Sequence, residues 1–232
     1  MGVKRIYAEG VKKHSLGQQV VCCDLLPDAG LYHYQSPVDF STLPKVQTDS
    51  SLALTFDYQK QVFEQAIFAN AFHLVPKEKK SRLSFEEEDF WLIDIHVHFP
   101  SEHMFDNRHT EFEFHFVHEN AEGNKLVVAL LFDLTDEKFL VKNELRRFAI
   151  MSEFSAKADM FFNPVKYLPK EKTFYHFIGS LTTPPFNGPV LWFVMDTVQL
   201  ANREIVEKAK KEIPVNNNRP VYPLKDRTIW HN

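Results

Sequence analysis

The sequence predicts a single, mainly β domain. Three observations point there. Six separate stretches read as strands, helical spacing appears in only two, and no repeat, low-complexity tract or Gly/Ser-rich linker divides the chain. Many strands with few helices argue against alternating βαβ units. Length alone (232 residues) does not choose between one large domain and two small ones. A hydrophobic content of 44% with 22 phenylalanines can fill a sizeable core and argues against intrinsic disorder.

In chain order the strand-like runs are residues 52–58, 66–75, 90–98, 111–118, 126–134 and 190–195. Between the second and third, residues 76–82 form a short charged stretch that reads as a solvated loop. Helical spacing predicts helices over residues 141–161 and 202–213. The second carries Glu204, Glu207, Lys208 and Lys211 in the pattern of an exposed surface helix.

A net charge of −4, from 27 basic and 31 acidic residues, gives no reason to expect nucleic acid or an anionic membrane as partner. No run approaches the ~18 apolar residues a spanning helix needs. Residues 1–9 lack the apolar segment of a secretion signal. The two cysteines, Cys22 and Cys23, are adjacent, so no structural disulfide is expected. Together these predict a protein of a reducing compartment, the cytoplasm.

The most informative stretches are the third and fourth strands. His96 and His98 alternate with Ile95 and Val97, so both imidazoles leave the same face, with Cα atoms roughly 6.5–7 Å apart. Asp94 shares that face, while Ile93, Ile95, Val97 and Phe99 share the other. On the next strand Glu111, Glu113, His115 and Val117 share one face, and Phe112, Phe114 and Phe116 the other. Two histidines from one strand and His115 from the next can converge on one ion. Three neutral imidazoles with a fourth position open is how a catalytic zinc site is built. The carboxylates two residues before His96 and His115, Asp94 and Glu113, lie where a ligating histidine needs an acceptor for its other N–H. His118 faces away and reads as structural, while His14, His33, His109, His176 and His231 have no patterned neighbours and read as surface or satisfied histidines.

These residues carry a family resemblance. The segments at residues 96–103 (HVHFPSEH), 113–118 (EFHFVH) and 179–185 (GSLTTPP) resemble the α-class carbonic anhydrases, particularly the bacterial branch. So do residues 35–39 (QSPVD), 218–220 (NRP) and 223–227 (PLKDR). The resemblance covers about residues 32 to 229, with the motifs in the family's order, leaving residues 1–31 as a divergent segment expected to pack on a catalytic domain of residues 32–232. It implies a large, mostly antiparallel twisted sheet of about ten strands with a few peripheral helices.

The resemblance also implies roles. His96, His98 and His115 would bind Zn²⁺, with Glu113 orienting His115, Asp94 standing where many members have glutamine, and the Asn217 carbonyl holding His98. A zinc-bound hydroxide, oriented by Thr182 and Glu102, would attack CO₂ to give bicarbonate and a proton. Thr183 would place bicarbonate, and Val117, Val128, Leu181 and Trp192 would form the apolar wall for CO₂. Asn70 stands at the usual proton-shuttle histidine and cannot titrate. His73, three residues on, would face away on a regular strand, and substitutes only if a bulge re-aims it. Residues 1–31 lack the family's Trp-Gly-Tyr motif, and Phe177 replaces a tyrosine, so His103 must find another partner or a water. Relatives that pair suggest a homodimer. Two alternatives carry different functions: a non-catalytic carbonic anhydrase-related binding protein, and a zinc hydrolase acting mainly on esters.

Overall fold

The computed structural model describes residues 32–43, 46–136 and 159–232. Fifteen strands follow in order: β1 (Val46–Thr48), β2 (Thr55–Asp57), β3 (Gln61–Phe68), β4 (Ala71–Pro76), β5 (Arg82–Phe85), β6 (Glu88–His98), β7 (Met104–Phe105), β8 (Arg108–His109), β9 (Phe112–Glu119), β10 (Lys125–Thr135), β11 (Asp159–Phe162), β12 (Phe174–Gly179), β13 (Val190–Met195), β14 (Gln199–Asn202) and β15 (Ile229–His231). The one α-helix among the described residues is α1 (Arg203–Ala209).

Thirteen strands form one sheet, whose main path runs β1-β15-β12-β13-β10-β9-β6-β4-β3-β11, with β14 on β10 and the β2–β5 pair on β6. Strands β7 and β8 form a separate hairpin. The sheet is mixed: β1–β15, β10–β13 and β10–β14 pair in parallel, and the other pairings are antiparallel.

The central strands β9 and β10 are buried along almost their whole length because both faces of the sheet are covered. Alternation divides their side chains between two clusters. Phe112, Phe114 and Phe116 join Leu126, Val128, Leu130 and Phe132 on one face. Val117, Val127, Ala129, Leu131 and Trp192 pack on the other. That second face carries the histidines.

Several expectations change. The predicted strand at residues 66–75 is a hairpin: β3 and β4 pair across a two-residue turn at Ala69 and Asn70, whose φ angles are +46° and +58°. Positive φ at both central residues belongs to type I′ turns, in which asparagine is favoured. The run at 52–58 shortens to β2. The predicted helix at 202–213 stops at Ala209. Its Asn202 cap accepts from Ile205 N–H at 3.3 Å, and Glu204 and Lys208 suit the two ends of its dipole. Of the other predicted helix, residues 141–158 lie outside the described residues, and 159–161 belong to the edge strand β11 instead. Residues 1–31, with Cys22, Cys23 and His14, also lie outside. No helix among the described residues is long and apolar enough to cross a membrane.

Candidate metal centre

Strand pairing assembles the site. His96 on β6 lies directly across from His115 on β9, and His98 lies across from Glu113. The register shifts between Leu92 and Asp94, so that Asp94, opposite Val117, re-enters the pleat in phase with His96. The result is a trio of buried rings with centroids 5.0, 5.0 and 4.6 Å apart. One ligand atom from each lies within 4.8 Å of the others.

Each ring has an acceptor on its outer nitrogen. His96 Nδ1 donates to Asp94 Oδ2 at 2.6 Å, His98 Nδ1 to the Asn217 carbonyl at 3.1 Å, and His115 Nε2 to Glu113 Oε1 at 2.8 Å. That assignment of protons follows from the acceptors. It turns the lone pairs of His96 Nε2, His98 Nε2 and His115 Nδ1 inward, with His115 Nδ1 3.2 Å from His96 Nε2. Among the described residues His98 Nε2 is buried with no hydrogen-bond partner. An orphaned acceptor among converging acceptors is costly unless a cation takes the lone pairs, so the donor set fits a metal ion such as zinc.

Burial opposes protonation of His98 and His115. Burial pushes His98 well below the usual imidazole range, and the neighbouring rings of His115 and His96 reinforce it. Burial likewise lowers His115 to about 4, against the opposing pull of Glu113. Burial alone would raise Glu113, but the charges and hydrogen bonds of His103 and His115 outweigh it and hold the carboxylate well below its usual range. The same balance, with His96 and His73 as partners, lowers Asp94.

Glu113 is a hub. Its Oε1 accepts from His115 Nε2 and from His103 Nδ1 at 2.7 Å, and its Oε2 accepts the backbone N–H groups of Glu102 and His103, each at 2.8 Å. His103 therefore finds one partner in Glu113. Its Nε2, near the Phe177 ring (centroids 5.9 Å apart), has none among the described residues, as the loss of a tyrosine hydroxyl there predicts.

Glu102 is fully buried and takes the Arg219 N–H on Oε1 at 2.8 Å. Burial lifts its carboxyl well above the usual range; the Thr182 hydroxyl opposes this most, Glu113 reinforces it, and Arg219 opposes it again. Thr182 thus stands close enough to act on Glu102, while Glu102 Oε2 has no partner with full hydrogen-bond geometry among the described residues. The segment carrying Thr182 is tied down by Ser36 N–H to Ser180 Oγ (3.0 Å) and Leu181 N–H to the Asn187 carbonyl (2.8 Å). Gly179 is required there, since a Cβ would sit 2.1 Å from Ser36 Oγ. Thr183 is half-buried on the same segment.

The apolar wall differs from expectation in one residue. Val117, Trp192 and Leu181 belong to the histidine-bearing face, with the Trp192 and His115 ring centroids 4.9 Å apart. Val128 does not. It pairs with Phe116 and turns into the opposite core, while Val127, paired with both Val117 and Trp192, takes its place. A continuous apolar run such as Leu126–Val127–Val128 has no phase of its own; only its register against β9 reveals which residue faces the metal centre.

Asn70 lies exposed at the hairpin tip, where its carbonyl accepts from Asn217 Nδ2 at 3.0 Å. His73 is not on the far face. The hairpin places it directly across from His96, with Nδ1 3.0 Å from each Asp94 oxygen and Nε2 3.2 Å from the Phe68 carbonyl.

The profile of a family described as eukaryotic-type carbonic anhydrase matches residues 25–232. A carbonic anhydrase from Pectobacterium atrosepticum is 32% identical over 202 residues, spanning 85% of this chain and 79% of its own. Alpha carbonic anhydrase 4 from Arabidopsis thaliana is 29% identical over 209 residues, spanning 85% and 74%. The solved alpha-carbonic anhydrase of Photobacterium profundum superposes with a TM-score of 0.72 at 32% identity, covering 85% of this chain and 88% of that one.

Proposed function

The chain belongs to the α-carbonic anhydrase family and is a carbonic anhydrase, and from that premise we propose that it hydrates CO₂ reversibly to bicarbonate and a proton, with Zn²⁺ held by His96, His98 and His115. The observation that carries the metal assignment is the orphaned, buried His98 Nε2 facing two other inward lone pairs while every outer nitrogen has an acceptor. Zinc held by three neutral ligands keeps its full charge and supplies a hydroxide-strength nucleophile from water near neutral pH.

The chain's own residues do the rest. The Thr182 hydroxyl would accept a hydrogen bond from the nucleophile while donating its own O–H to Glu102, which would aim the attacking lone pair at the carbon. Arg219 N–H fixes the Glu102 carboxyl for that task. CO₂ has no net dipole, so it needs an apolar surface beside the metal; Val117, Val127, Leu181 and Trp192 supply one. Thr183 helps place bicarbonate. Glu113 and Asp94 fix the tautomers of His115 and His96.

Proton export has no titratable side chain at position 70. His73 is 3% exposed with Nδ1 against Asp94 and Nε2 against the Phe68 carbonyl, so neither nitrogen is left to turn toward the cleft. External buffer is the expected carrier, and turnover should rise with imidazole concentration. The intact ligand trio together with Thr182 and Glu102 favours an enzyme over a binding protein that has lost the metal. The test is His98→Ala: zinc per chain should fall close to zero with nearly all hydration activity. Full zinc stoichiometry and full rate in that variant would contradict the assignment.

A further inference from the structure

Asp94 is approached by two histidines, and only one of them belongs to the ligand trio. His73 Nδ1 lies 3.0 Å from both Asp94 oxygens, while Oδ2 also takes His96 Nδ1 at 2.6 Å. A glutamine or asparagine here has a single acceptor oxygen, so one of the two oxygens that His73 Nδ1 faces would become an NH₂ instead. A carboxylate keeps both as acceptors. The pairing of an acidic residue at position 94 with a histidine at position 73 is therefore internally consistent in this chain.

His73 is held as firmly as what it holds. Its ring stacks on Phe68 with centroids 3.5 Å apart, its Nε2 bonds the Phe68 carbonyl, and its side chain is 4% exposed. Asp94, with a side chain 17% exposed, borders the cleft and without His73 would be free to rotate toward water. The tight turn at Ala69 and Asn70 makes the arrangement possible, because it brings β4 back with His73 across from His96.

We infer that His73 is a positioning residue that locks the Asp94 carboxylate against His96 Nδ1, so that His96 presents Nε2 to the metal in one fixed orientation; this rests on the trio being the metal ligands. Partners of this kind that orient a ligand change metal affinity by ~10–100-fold when removed. The effect must run through Asp94, which separates it from simple packing.

The experiment is zinc release from the full-length, zinc-loaded protein to a chromogenic chelator, with the unfolding midpoint of the metal-free form measured alongside. His73→Phe keeps a ring on Phe68 but removes both ring nitrogens, and should speed release about tenfold, the low end of that range. His73→Asn, which restores an N–H near the Nδ1 position, should recover most of the loss. Asp94→Ala should speed release at least as much as His73→Phe, and adding His73→Phe to it should change nothing further, because the two act as one unit. Should His73→Phe fail to fold, Asp94→Asn tests the same clamp from the other side and should show the same acceleration. Wild-type release in His73→Phe, an unchanged acceleration in the Asp94→Ala background, or no recovery in His73→Asn would overturn the inference. Zinc that depends on His98 but ignores His73 would sink this inference alone; zinc retained by His98→Ala would sink the ligand assignment and this inference with it.

Discussion

Replacing Glu113 by glutamine changes one atom of a buried side chain and should be among the most damaging substitutions in the protein. The carboxylate accepts four N–H groups, two on each oxygen, from His115, His103 and the backbone of residues 102 and 103. An amide has one acceptor oxygen, so whichever way it flips, two of the four donors face an NH₂ group. Each stranded buried donor costs about 1–3 kcal/mol, giving roughly 2–6 kcal/mol, a large share of the ~5–15 kcal/mol that holds a domain folded. The midpoint of thermal unfolding should fall by several degrees or more, at roughly 2–4 °C per kcal/mol for a chain of this size. Zinc affinity should fall by ~10–100-fold as well, because the proton that fixes the His115 tautomer loses its acceptor or shares it. Urea titration of the metal-free variant, followed by chelator competition on whatever folds, measures both. A stability loss under about 1 kcal/mol with unchanged zinc affinity would refute the account of Glu113 as the hub.

Three further outcomes follow from the same geometry. Thr182→Ala should lower kcat/KM by the order of 10² while leaving zinc content unchanged; a wild-type rate would remove Thr182 from the mechanism. Val127→Phe should obstruct the apolar wall and lower kcat/KM with zinc retained, whereas Val128→Phe should cost about 1–3 kcal/mol of stability through overpacking and leave the folded fraction active. The reverse result would put Val128 back on the wall. Burial lowers His118 and His176 to about 3, so between their ordinary pKa and 3 the unfolded chain binds protons that the folded chain refuses. Stability therefore falls as pH drops through that window. Each histidine removes about 2 kcal/mol between pH 7 and pH 5 by linkage, and a urea midpoint of the metal-free protein identical at the two values would contradict their burial as neutral rings.

Much of the site was legible because a strand's period of two fixes which side chains share a face. His96, His98, Asp94, Glu113, His115 and Val117 could be sorted from alternation alone, and the structure puts all six on the histidine-bearing side. Where period two is silent, the sequence misled. The apolar run of β10 gives no phase to test the Val128 that the resemblance implies, and pairing with β9 brings Val127 to the histidine-bearing face instead. The β3–β4 turn lacks glycine, so residues 66–75 read as one strand with His73 facing away, although the turn makes His73 and His96 cross-strand neighbours. Short strands such as β5, β12 and β15 owe their place to long-range pairing, which local composition does not announce. Arg219 acts on Glu102 through its backbone N–H, and a backbone group carries no residue signature at all.

Stopped-flow CO₂ hydration on purified, zinc-loaded protein, with metal quantified in the same sample and a chelated control, bears most heavily on the proposed chemistry. A rate far above the uncatalysed one that disappears with the metal is the predicted result. One zinc per chain with no hydration above the chelated control would contradict it, and would favour a binding role for the same fold.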